Sequence, residues 1–311
     1  MRLYAMSLKI RSEIAMLESQ FNELKSLHSG PVLKRRGFML GSLSAGFAVS
    51  VTPTGALLAQ TITTDSSGLE VGEIKIKTSD GDMPGYYAKP AGKSNCATVV
   101  VVHEIFGVHE HIRDVCRRFA KAGLMAVAPE LFARQGDVSK MTSVPEILST
   151  VVMKVPDAQV MSDLDATLKW ATAQGGSVEK IGITGFCWGG RITWMYSAYN
   201  SNIKSGVAWY GRLTDPQTAM TPSHPQLIAH ELNCPVLGLY GGADAGISQN
   251  SIEEMQTRLT LADKAGQASA FVVYPDTPHA FHADYRPSYR KGPAEDAWLR
   301  CLAWFKKNGL V

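Results

Sequence analysis

Apolar residues from position 71 onward follow two alternating patterns. Short runs rich in Val and Ile are typical of strands, and longer segments with apolar residues three and four positions apart are typical of helices. The run 97–102 is almost continuously β-branched, which indicates a strand buried on both faces. We predict strands at 73–77, 83–89, 97–102, 124–128, 181–184, 205–210, 236–240 and 270–274, and helices at 109–122, 157–172, 190–199, 248–265 and 288–307. This alternation predicts an α/β domain with a mostly parallel central sheet and helices on both faces.

The composition divides the chain into four segments. Residues 1–33 form an N-terminal extension whose apolar residues recur at helical spacing. Residues 34–59 resemble a signal segment, residues 60–70 are a polar linker, and residues 71–311 form the α/β domain. A start codon assigned too early is an alternative origin for residues 1–33.

The segment 34–59 resembles a twin-arginine export signal. It begins with Lys34-Arg35-Arg36-Gly37-Phe38-Met39-Leu40 and continues as a mildly apolar stretch to Ala59, a small residue suited to cleavage. We therefore expect a cytoplasmic precursor, the twin-arginine (Tat) translocon as its partner, transient membrane contact, and a periplasmic or secreted product. An uncleaved membrane anchor is the alternative, because the stretch is near the minimum length of a membrane span.

The positive charge of the chain lies in the N-terminal segments. Residues 1–59 contain seven of the 31 Lys and Arg and three of the 28 Asp and Glu. The rest of the chain therefore has 24 basic and 25 acidic residues. Because the α/β domain has no basic surplus, nucleic acid is not expected as a partner.

Five residues between a predicted strand and a predicted helix have the pattern of a nucleophile elbow. They are Gly185-Phe186-Cys187-Trp188-Gly189, with cysteine in place of the usual serine. The glycines allow the strand and helix backbones to pass close together around a tight turn. Cys187 would then stand at a helix N-terminus, where the helix dipole favours the thiolate. We predict Cys187 as a nucleophile and an α/β-hydrolase fold for residues 71–311.

A cysteine nucleophile requires a base, and the base requires an orienting carboxylate. In α/β-hydrolases the three residues follow in the order nucleophile, acid, histidine. Asp244 follows the predicted strand 236–240, and His279 follows the predicted strand 270–274. Since parallel strands present their carboxyl ends at one edge of the sheet, we predict Asp244 as the acid and His279 as the base. His282 competes with His279 for the role of the base.

No metal or other cofactor is predicted. His103, His109 and His111 flank a strand-to-helix turn, but their spacing fits no HExxH motif, and a metal would tend to quench the thiolate. No nucleotide-binding loop or dinucleotide fingerprint is visible in the sequence. The four other cysteines form no CxxC pair and are expected to be small core or near-surface residues.

Several motifs together resemble the dienelactone hydrolase (carboxymethylenebutenolidase) family over about residues 70–308. The motifs are His103-Glu104-Ile105-Phe106-Gly107, Ala128-Pro129-Glu130-Leu131-Phe132-Ala133-Arg134, Gly185-Phe186-Cys187-Trp188-Gly189-Gly190, Gly241-Gly242-Ala243-Asp244 and His279-Ala280-Phe281. The resemblance implies that Cys187 attacks a lactone carbonyl and that His279, held by Asp244, acts as general base and then as general acid.

The resemblance also implies roles for the residues around the nucleophile. Glu104 matches a glutamate that contacts the nucleophilic thiol and gates its activation. The backbone N–H groups of Ile105 and Trp188 match the oxyanion hole of the family. Glu104 directly follows a predicted buried strand, so it should lie at the same edge of the sheet as Cys187.

The binding of an acidic substrate requires cations in the pocket. Arg134 matches one of two arginines that bind the substrate carboxylate in the family. The second arginine does not carry over, because Ala283 stands where it is expected. Arg286 and Arg290 lie nearby and are candidates to replace it. This departure affects the expected substrate more than the expected reaction.

We therefore expect a carboxylic ester hydrolase that cleaves small lactones or esters with water, through a thioester acyl-enzyme. A general carboxylesterase with an unrelated substrate is one alternative. A non-catalytic or thiol-redox protein on a hydrolase scaffold is another. Comparing acidic with neutral lactones separates the first two, and a burst with an activated ester separates both from the third.

Overall fold

The computed structural model describes residues 61–310, so the predicted extension 1–33 and signal segment 34–59 lie outside the described residues. The strands are β1 (Leu69–Lys77), β2 (Asp82–Pro90), β3 (Cys96–Val102), β4 (Met125–Pro129), β5 (Gly176–Phe186), β6 (Ser205–Trp209), β7 (Val236–Gly241) and β8 (Ala270–Tyr274). The α-helices are α1 (Glu110–Lys121), α2 (Val144–Thr150), α3 (Asp157–Ala173), α4 (Trp188–Tyr199), α5 (Gln249–Thr260), α6 (Lys264–Ala268) and α7 (Lys291–Lys307).

The strands of residues 61–310 form one sheet in the order β1-β2-β4-β3-β5-β6-β7-β8. The pairs β1–β2 and β2–β4 are antiparallel, and every later pair is parallel. The carboxyl ends of β3, β5, β6, β7 and β8 therefore open onto one edge of the sheet. Open parallel sheets bind their ligands at this edge.

The packing of β3 on both of its faces explains why its sequence is continuously apolar. Val99 and Val101 pack on one face, in a core that includes residues of α1 and α7. Val100 and Val102 pack on the other face, in a core that includes residues of α3 and α4. Successive side chains of a strand point to opposite faces, so a sheet covered by helices on both sides needs apolar residues at every position. This arrangement confirms the predicted α/β-hydrolase architecture.

The predicted helix 248–265 is divided in the structure. Helix α5 ends at Thr260, and the short helix α6 begins at Lys264. Asp263 caps the second helix, since its carboxylate accepts hydrogen bonds from the N–H groups of Ala265 and Gly266. Aspartate prefers this capping position to a helix interior, and a local cap of this kind overrides the longer helical pattern.

Residues that precede β1 lie against helix α1. The backbone N–H of Thr64 donates to the Asp114 carboxylate at 2.5 Å. The Arg117 guanidinium donates to the Thr64 carbonyl at 2.8 Å. Strand β1 then begins at Leu69. Among the residues described, none of the helices combines the length and the apolar character that a membrane crossing requires.

Candidate active site

Cys187 occupies a strained turn between β5 and α4. Its backbone angles are φ 56° and ψ −116°, a conformation that costs energy for a residue with a side chain. The N–H of Cys187 donates to the Trp209 carbonyl at 3.0 Å, which ties the turn to the end of β6. Strain of this kind persists only where the surroundings hold it, and it is typical of a nucleophile elbow.

The glycines of the elbow permit close packing of the backbone. A Cβ on Gly185 would overlap the Gly189 carbonyl, and a Cβ on Gly189 would overlap the carbonyl oxygen of Val102 at the end of β3. Helix α4 therefore begins directly against the end of β3. This contact brings the backbone of Ile105, just beyond β3, to the same part of the sheet edge as the backbone of Trp188.

His279 and Asp244 meet at the carboxyl edge of the sheet. Asp244 follows β7 and His279 follows β8, and His279 Nδ1 lies 2.6 Å from Asp244 Oδ2. The two residues are only 2% and 7% exposed. A carboxylate at this nitrogen fixes the orientation of the imidazole, so Nε2 is the nitrogen that can accept and donate protons in the cavity. Nε2 is buried and has no hydrogen-bond partner among the described residues.

Cys187 and His279 line one cavity of about 100 Å³. Its other lining residues belong to the start of α4, to α2 and the turn after it, and to the loop that follows β6: Leu148, Val152, Met153, Trp188, Arg191, Tyr210, Arg212, Asp215, Pro216, Thr218, Thr221 and His224. A thiol at a helix N-terminus and an imidazole held by a carboxylate are thus exposed to the same small space. This arrangement suits nucleophilic attack followed by proton transfer.

Glu104 is buried next to the site, with 1% of its surface exposed. Its Oε2 accepts a hydrogen bond from the Tyr285 hydroxyl at 2.7 Å and lies 3.4 Å from His109 Nε2. Its Oε1 has no hydrogen-bond partner among residues 61–310. A buried carboxylate oxygen without a donor is rare, and it leaves an acceptor available beside the nucleophile turn.

The charge state of Glu104 follows from its neighbours. Burial alone would raise the pKa of this carboxyl. The contact with His109 and the positive charge of Arg286 have the larger effect, so the pKa falls from 4.5 to about 2. Burial in turn lowers the pKa of His109, although Glu104 partly opposes this. Burial also raises the pKa of Tyr285 well above its usual value. At neutral pH the group is therefore an ionised Glu104 that faces a neutral hydroxyl and a neutral imidazole.

Comparison with known proteins identifies the family. Residues 83–309 match the dienelactone hydrolase family. A protein of Methylorubrum extorquens named "Putative carboxymethylenebutenolidase" is 53% identical over 93% of this chain and 98% of its own length. A protein of the same name from Escherichia coli strain K12 is 47% identical over 87% of this chain and 98% of its own.

The chain belongs to the dienelactone hydrolase family. A solved structure from Klebsiella pneumoniae, named "Putative Dienelactone Hydrolase", is 49% identical, has a TM-score of 0.75, and aligns with 77% of this chain and 99% of its own. The metagenomic phosphotriesterase P91, described as dienelactone hydrolase-like, shares the fold with 20% identity and a TM-score of 0.64. The family and the fold are confirmed, and so is the class of carboxylic ester hydrolase.

Arg134, which the family resemblance suggests as a ligand of a substrate carboxylate, does not line the cavity of this dienelactone hydrolase homologue. Its guanidinium forms ion pairs with Asp80 and Asp163, each at 2.6 Å. The side chain of Asp163 is only 1% exposed. Arg134 therefore neutralises a buried carboxylate and joins the turn between β1 and β2 to helix α3.

Arg286 is placed differently from Arg134 but also outside the cavity lining. It is 3% exposed, and its guanidinium carbon lies 6.0 Å from the centre of the Phe106 ring. Its positive charge acts on Glu104. In this member of the family the two arginines expected to bind substrate have carboxylates of the protein close to them.

His282, the competitor for the role of the base, lies in an aromatic cluster. Its ring stacks on the ring of Phe186, with 5.4 Å between the ring centres, and the centre of the Trp209 ring lies 4.6 Å away. Burial lowers its pKa well below the usual range. It does not line the cavity that contains Cys187 and His279. Of the two histidines, only His279 combines a carboxylate partner with access to the thiol cavity.

Three of the other cysteines have the environment of inert thiols. All five cysteines of the chain are free and buried. Burial raises the pKa of Cys234 to about 12, and it also raises the pKa of Cys116 and of Cys301. A thiol that resists ionisation is a poor nucleophile. Cys187 differs from these three because it lines a cavity and stands at a helix N-terminus.

Three charged residues of the cavity were not predicted from the sequence. Arg191 lies in the first turn of α4, and Arg212 and Asp215 lie in the loop after β6. That loop has little hydrophobic periodicity and several prolines, so its residues carried no pattern that linked them to the nucleophile. The position of Arg191, four residues after Cys187 on a predicted helix, was the one available signal.

Proposed function

We propose that the protein hydrolyses small lactones or esters with Cys187 as the nucleophile and a thioester acyl-enzyme as the intermediate. Family membership supports the hydrolysis of lactones or esters. One observation carries the finer proposal: the strained Cys187 turn and the His279–Asp244 pair open into one cavity. Activated cysteine nucleophiles in enzymes have this combination of a positioned thiol, a base and an orienting acid.

The proposed reaction has two steps. His279 Nε2 takes the proton of the thiol, and Cys187 sulfur bonds to the carbonyl carbon. The bond between that carbon and the ester oxygen then breaks, and His279 returns the proton to the leaving oxygen. In the second step His279 takes a proton from water, the resulting hydroxide displaces the thioester sulfur, and the thiol is regenerated. A lactone leaves as a single hydroxy acid or its keto form, because its two products remain joined.

The surroundings of Cys187 support the two accessory roles that the resemblance implies. Glu104 has a buried oxygen without a partner among the described residues, and the nucleophile's thiol is a suitable donor for it. The backbone N–H groups of Ile105 and Trp188 are proposed to bind the oxyanion of the tetrahedral intermediate. The close contact between Gly189 and the end of β3 supports this pairing of two chain segments.

Replacement of the nucleophile tests the proposal. We expect Cys187→Ala to abolish turnover of an enol-lactone and of an aryl acetate, because no acyl-enzyme can form. Cys234→Ala is the matched control, since Cys234 is a buried thiol outside the cavity, and it should retain activity. Wild-type turnover by Cys187→Ala would refute Cys187 as the nucleophile.

A second candidate, a general carboxylesterase, is favoured by the position of Arg134. Two carboxylates of the protein bind this arginine, which the resemblance implies as a ligand of an acidic substrate. The names of the relatives support an acidic lactone instead. Assays of a lactone with and without a free carboxylate distinguish the two candidates, because only a dienelactone-type site should prefer the acid.

Export by the twin-arginine route is also proposed. It is supported by the motif that includes Arg35 and Arg36, which lies outside the described residues. This route accepts folded cargo, so the reactive thiol would fold in the cytoplasm before exposure. N-terminal sequencing of the periplasmic or secreted protein tests the proposal, and retention of both arginines would exclude cleavage.

A further inference from the structure

The cavity beside Cys187 is lined by charged residues of both signs. Within the described part of the chain, three of its lining residues carry a formal charge at neutral pH: Arg191, Arg212 and Asp215. His224 also lines it, and burial lowers the pKa of this histidine, so it is neutral in the same range. The response of the cavity to a charged substrate therefore depends on what neutralises each arginine.

Arg191 is neutralised from outside the cavity. Its two terminal nitrogens bind the two carboxylate oxygens of Asp157 at 2.8 and 2.7 Å, and one of them also donates to the Ser223 carbonyl. A bidentate pair of this geometry is among the strongest that side chains form. Arg191 is 5% exposed, so an incoming anion would have to compete with a buried partner.

Arg212 is neutralised from within the cavity. Its Nη1 lies 2.6 Å from Asp215 Oδ1, and both side chains are nearly buried, at 11% and 12% exposure. Both residues line the same space as the nucleophile. This pair differs from the first because both of its partners line the cavity, whereas Asp157 does not.

The backbone holds Arg212 close to the reacting groups. Cys187 N–H donates to the Trp209 carbonyl, only three residues before Arg212. A Cβ on the intervening Gly211 would overlap the backbone of Gly190 and Arg191 in helix α4. The chain therefore passes directly along the nucleophile turn before it reaches the ion pair.

We propose that the Arg212–Asp215 pair determines specificity and that it selects esters or lactones whose acyl part is uncharged. The proposal rests on the proposed function of Cys187. Asp215 cancels the charge with which Arg212 would attract a carboxylate, and it repels an anion in the same space. A substrate carboxylate would also lose part of its hydration without gaining an unpaired cation, which is unfavourable in a cavity lined by buried and partly buried residues. A neutral acyl chain is not repelled by Asp215 and has no charged group to dehydrate.

Two substitutions, at Asp215 and at Arg212, test the proposal because they should shift the substrate preference in opposite directions. The probes are para-nitrophenyl pentanoate and para-nitrophenyl hemisuccinate, esters of similar shape that differ by one carboxylate. The wild-type enzyme should prefer the pentanoate in kcat/KM. Asp215→Asn removes the carboxylate that repels an anionic substrate and should narrow this preference by about tenfold. Arg212→Gln removes a cation that offsets this carboxylate and should widen the preference. Loss of packing alone would lower both rates together and would not move the ratio in two directions.

Controls separate this inference from the proposed function. Glu254→Gln removes a carboxylate from the exposed Glu254–Arg258 pair and should leave the ratio unchanged, and Asp215→Glu should keep the wild-type preference. If Asp215→Asn is insoluble, Arg212→Gln alone still decides, because a widened ratio supports the proposal and an unchanged ratio refutes it. A wild-type enzyme that cleaves the hemisuccinate as well as the pentanoate also overturns the inference. If the wild-type enzyme cleaves both esters equally well and Cys187→Ala is inactive, the inference about the ion pair fails while Cys187 remains the nucleophile.

Discussion

His279 Nδ1 lies 2.6 Å from Asp244 Oδ2, and both side chains are almost completely buried. Two loops from neighbouring strands, β7 and β8, meet to form this contact. It orients the imidazole so that Nε2 is available to the cavity of Cys187. The proton transfers of the proposed reaction depend on this orientation.

Asp244→Asn should therefore lower kcat strongly while the fold is retained. The amide preserves the shape of the carboxylate, but it does not stabilise an imidazolium, and its NH₂ group favours the wrong tautomer. We expect a loss of about 10²–10⁴-fold in kcat, measured with an aryl acetate. Glu253→Gln, an exposed position on α5, is the control. Unchanged turnover by Asp244→Asn would show that His279 needs no orienting acid.

The pH dependence of stability should report the buried carboxylate of Glu104. Its pKa is lowered from 4.5 to about 2 in the folded protein, so the folded state binds the proton less readily than the unfolded state does. The stabilisation is fully present above pH 4.5 and is lost as the pH falls towards 2. For a shift of this size it amounts to roughly 3 kcal/mol.

Glu104→Gln should remove this contribution. Urea unfolding between neutral and acidic pH should give a free energy of unfolding that is lower than wild type at neutral pH and falls less steeply on acidification. Glu253→Gln is again the control, and it should reproduce the wild-type slope. Parallel curves for wild type and Glu104→Gln would mean that Glu104 is not held as an anion in the folded state.

Two glycines should respond to the same substitution with very different losses of stability. A Cβ on Gly189 would overlap backbone oxygens at the end of β3, whereas a Cβ on Gly292, in the first turn of α7, has no heavy atom within 4 Å. We expect Gly189→Ala to destabilise the fold by at least about 2 kcal/mol and to abolish activity. Gly292→Ala should change stability by less than about 1 kcal/mol, since the better helix propensity of alanine is opposed by the restriction that Pro293 places on a preceding residue with a Cβ. Thermal melting measures both, and a well-folded, active Gly189→Ala would contradict the close packing of the elbow.

Arg134→Ala should affect stability more than substrate choice. The change leaves Asp163 buried without its cation, which should cost roughly 2–3 kcal/mol. The ratio of kcat/KM for acidic and neutral lactones should stay at the wild-type value, because Arg134 does not line the cavity. Arg258→Ala on the exposed face of α5 is the control for loss of an ion pair. A selective loss of activity on the acidic lactone would restore Arg134 as a substrate ligand.

Much of the site was predictable from local sequence because each element carries its own signal. The glycines around Cys187 indicate a turn that needs close backbone contact, and the structure shows that contact. Chain order and the positions after predicted strands indicate Asp244 and His279. These signals depend on the period of strands and on the topology of a parallel sheet, both of which are visible along the chain.

The substrate side of the site was not predictable in the same way. Arg134 lies in a motif typical of the family, but its direction depends on Asp80 and Asp163, which are distant in sequence. Arg212 and Asp215 lie in a loop whose path is determined by contacts with α4 rather than by its own pattern. Charge balance in a cavity is a property of tertiary contacts, so residue types alone do not reveal it.

The most direct test of the account is to capture the acyl-enzyme. The protein is mixed with an excess of an activated ester, quenched in acid within one turnover, digested and analysed by mass spectrometry. We predict one added acyl group on the peptide that contains Cys187, removable by neutral hydroxylamine as a thioester and absent from Cys187→Ala. An acyl group on another residue, or full turnover by Cys187→Ala, would contradict the account.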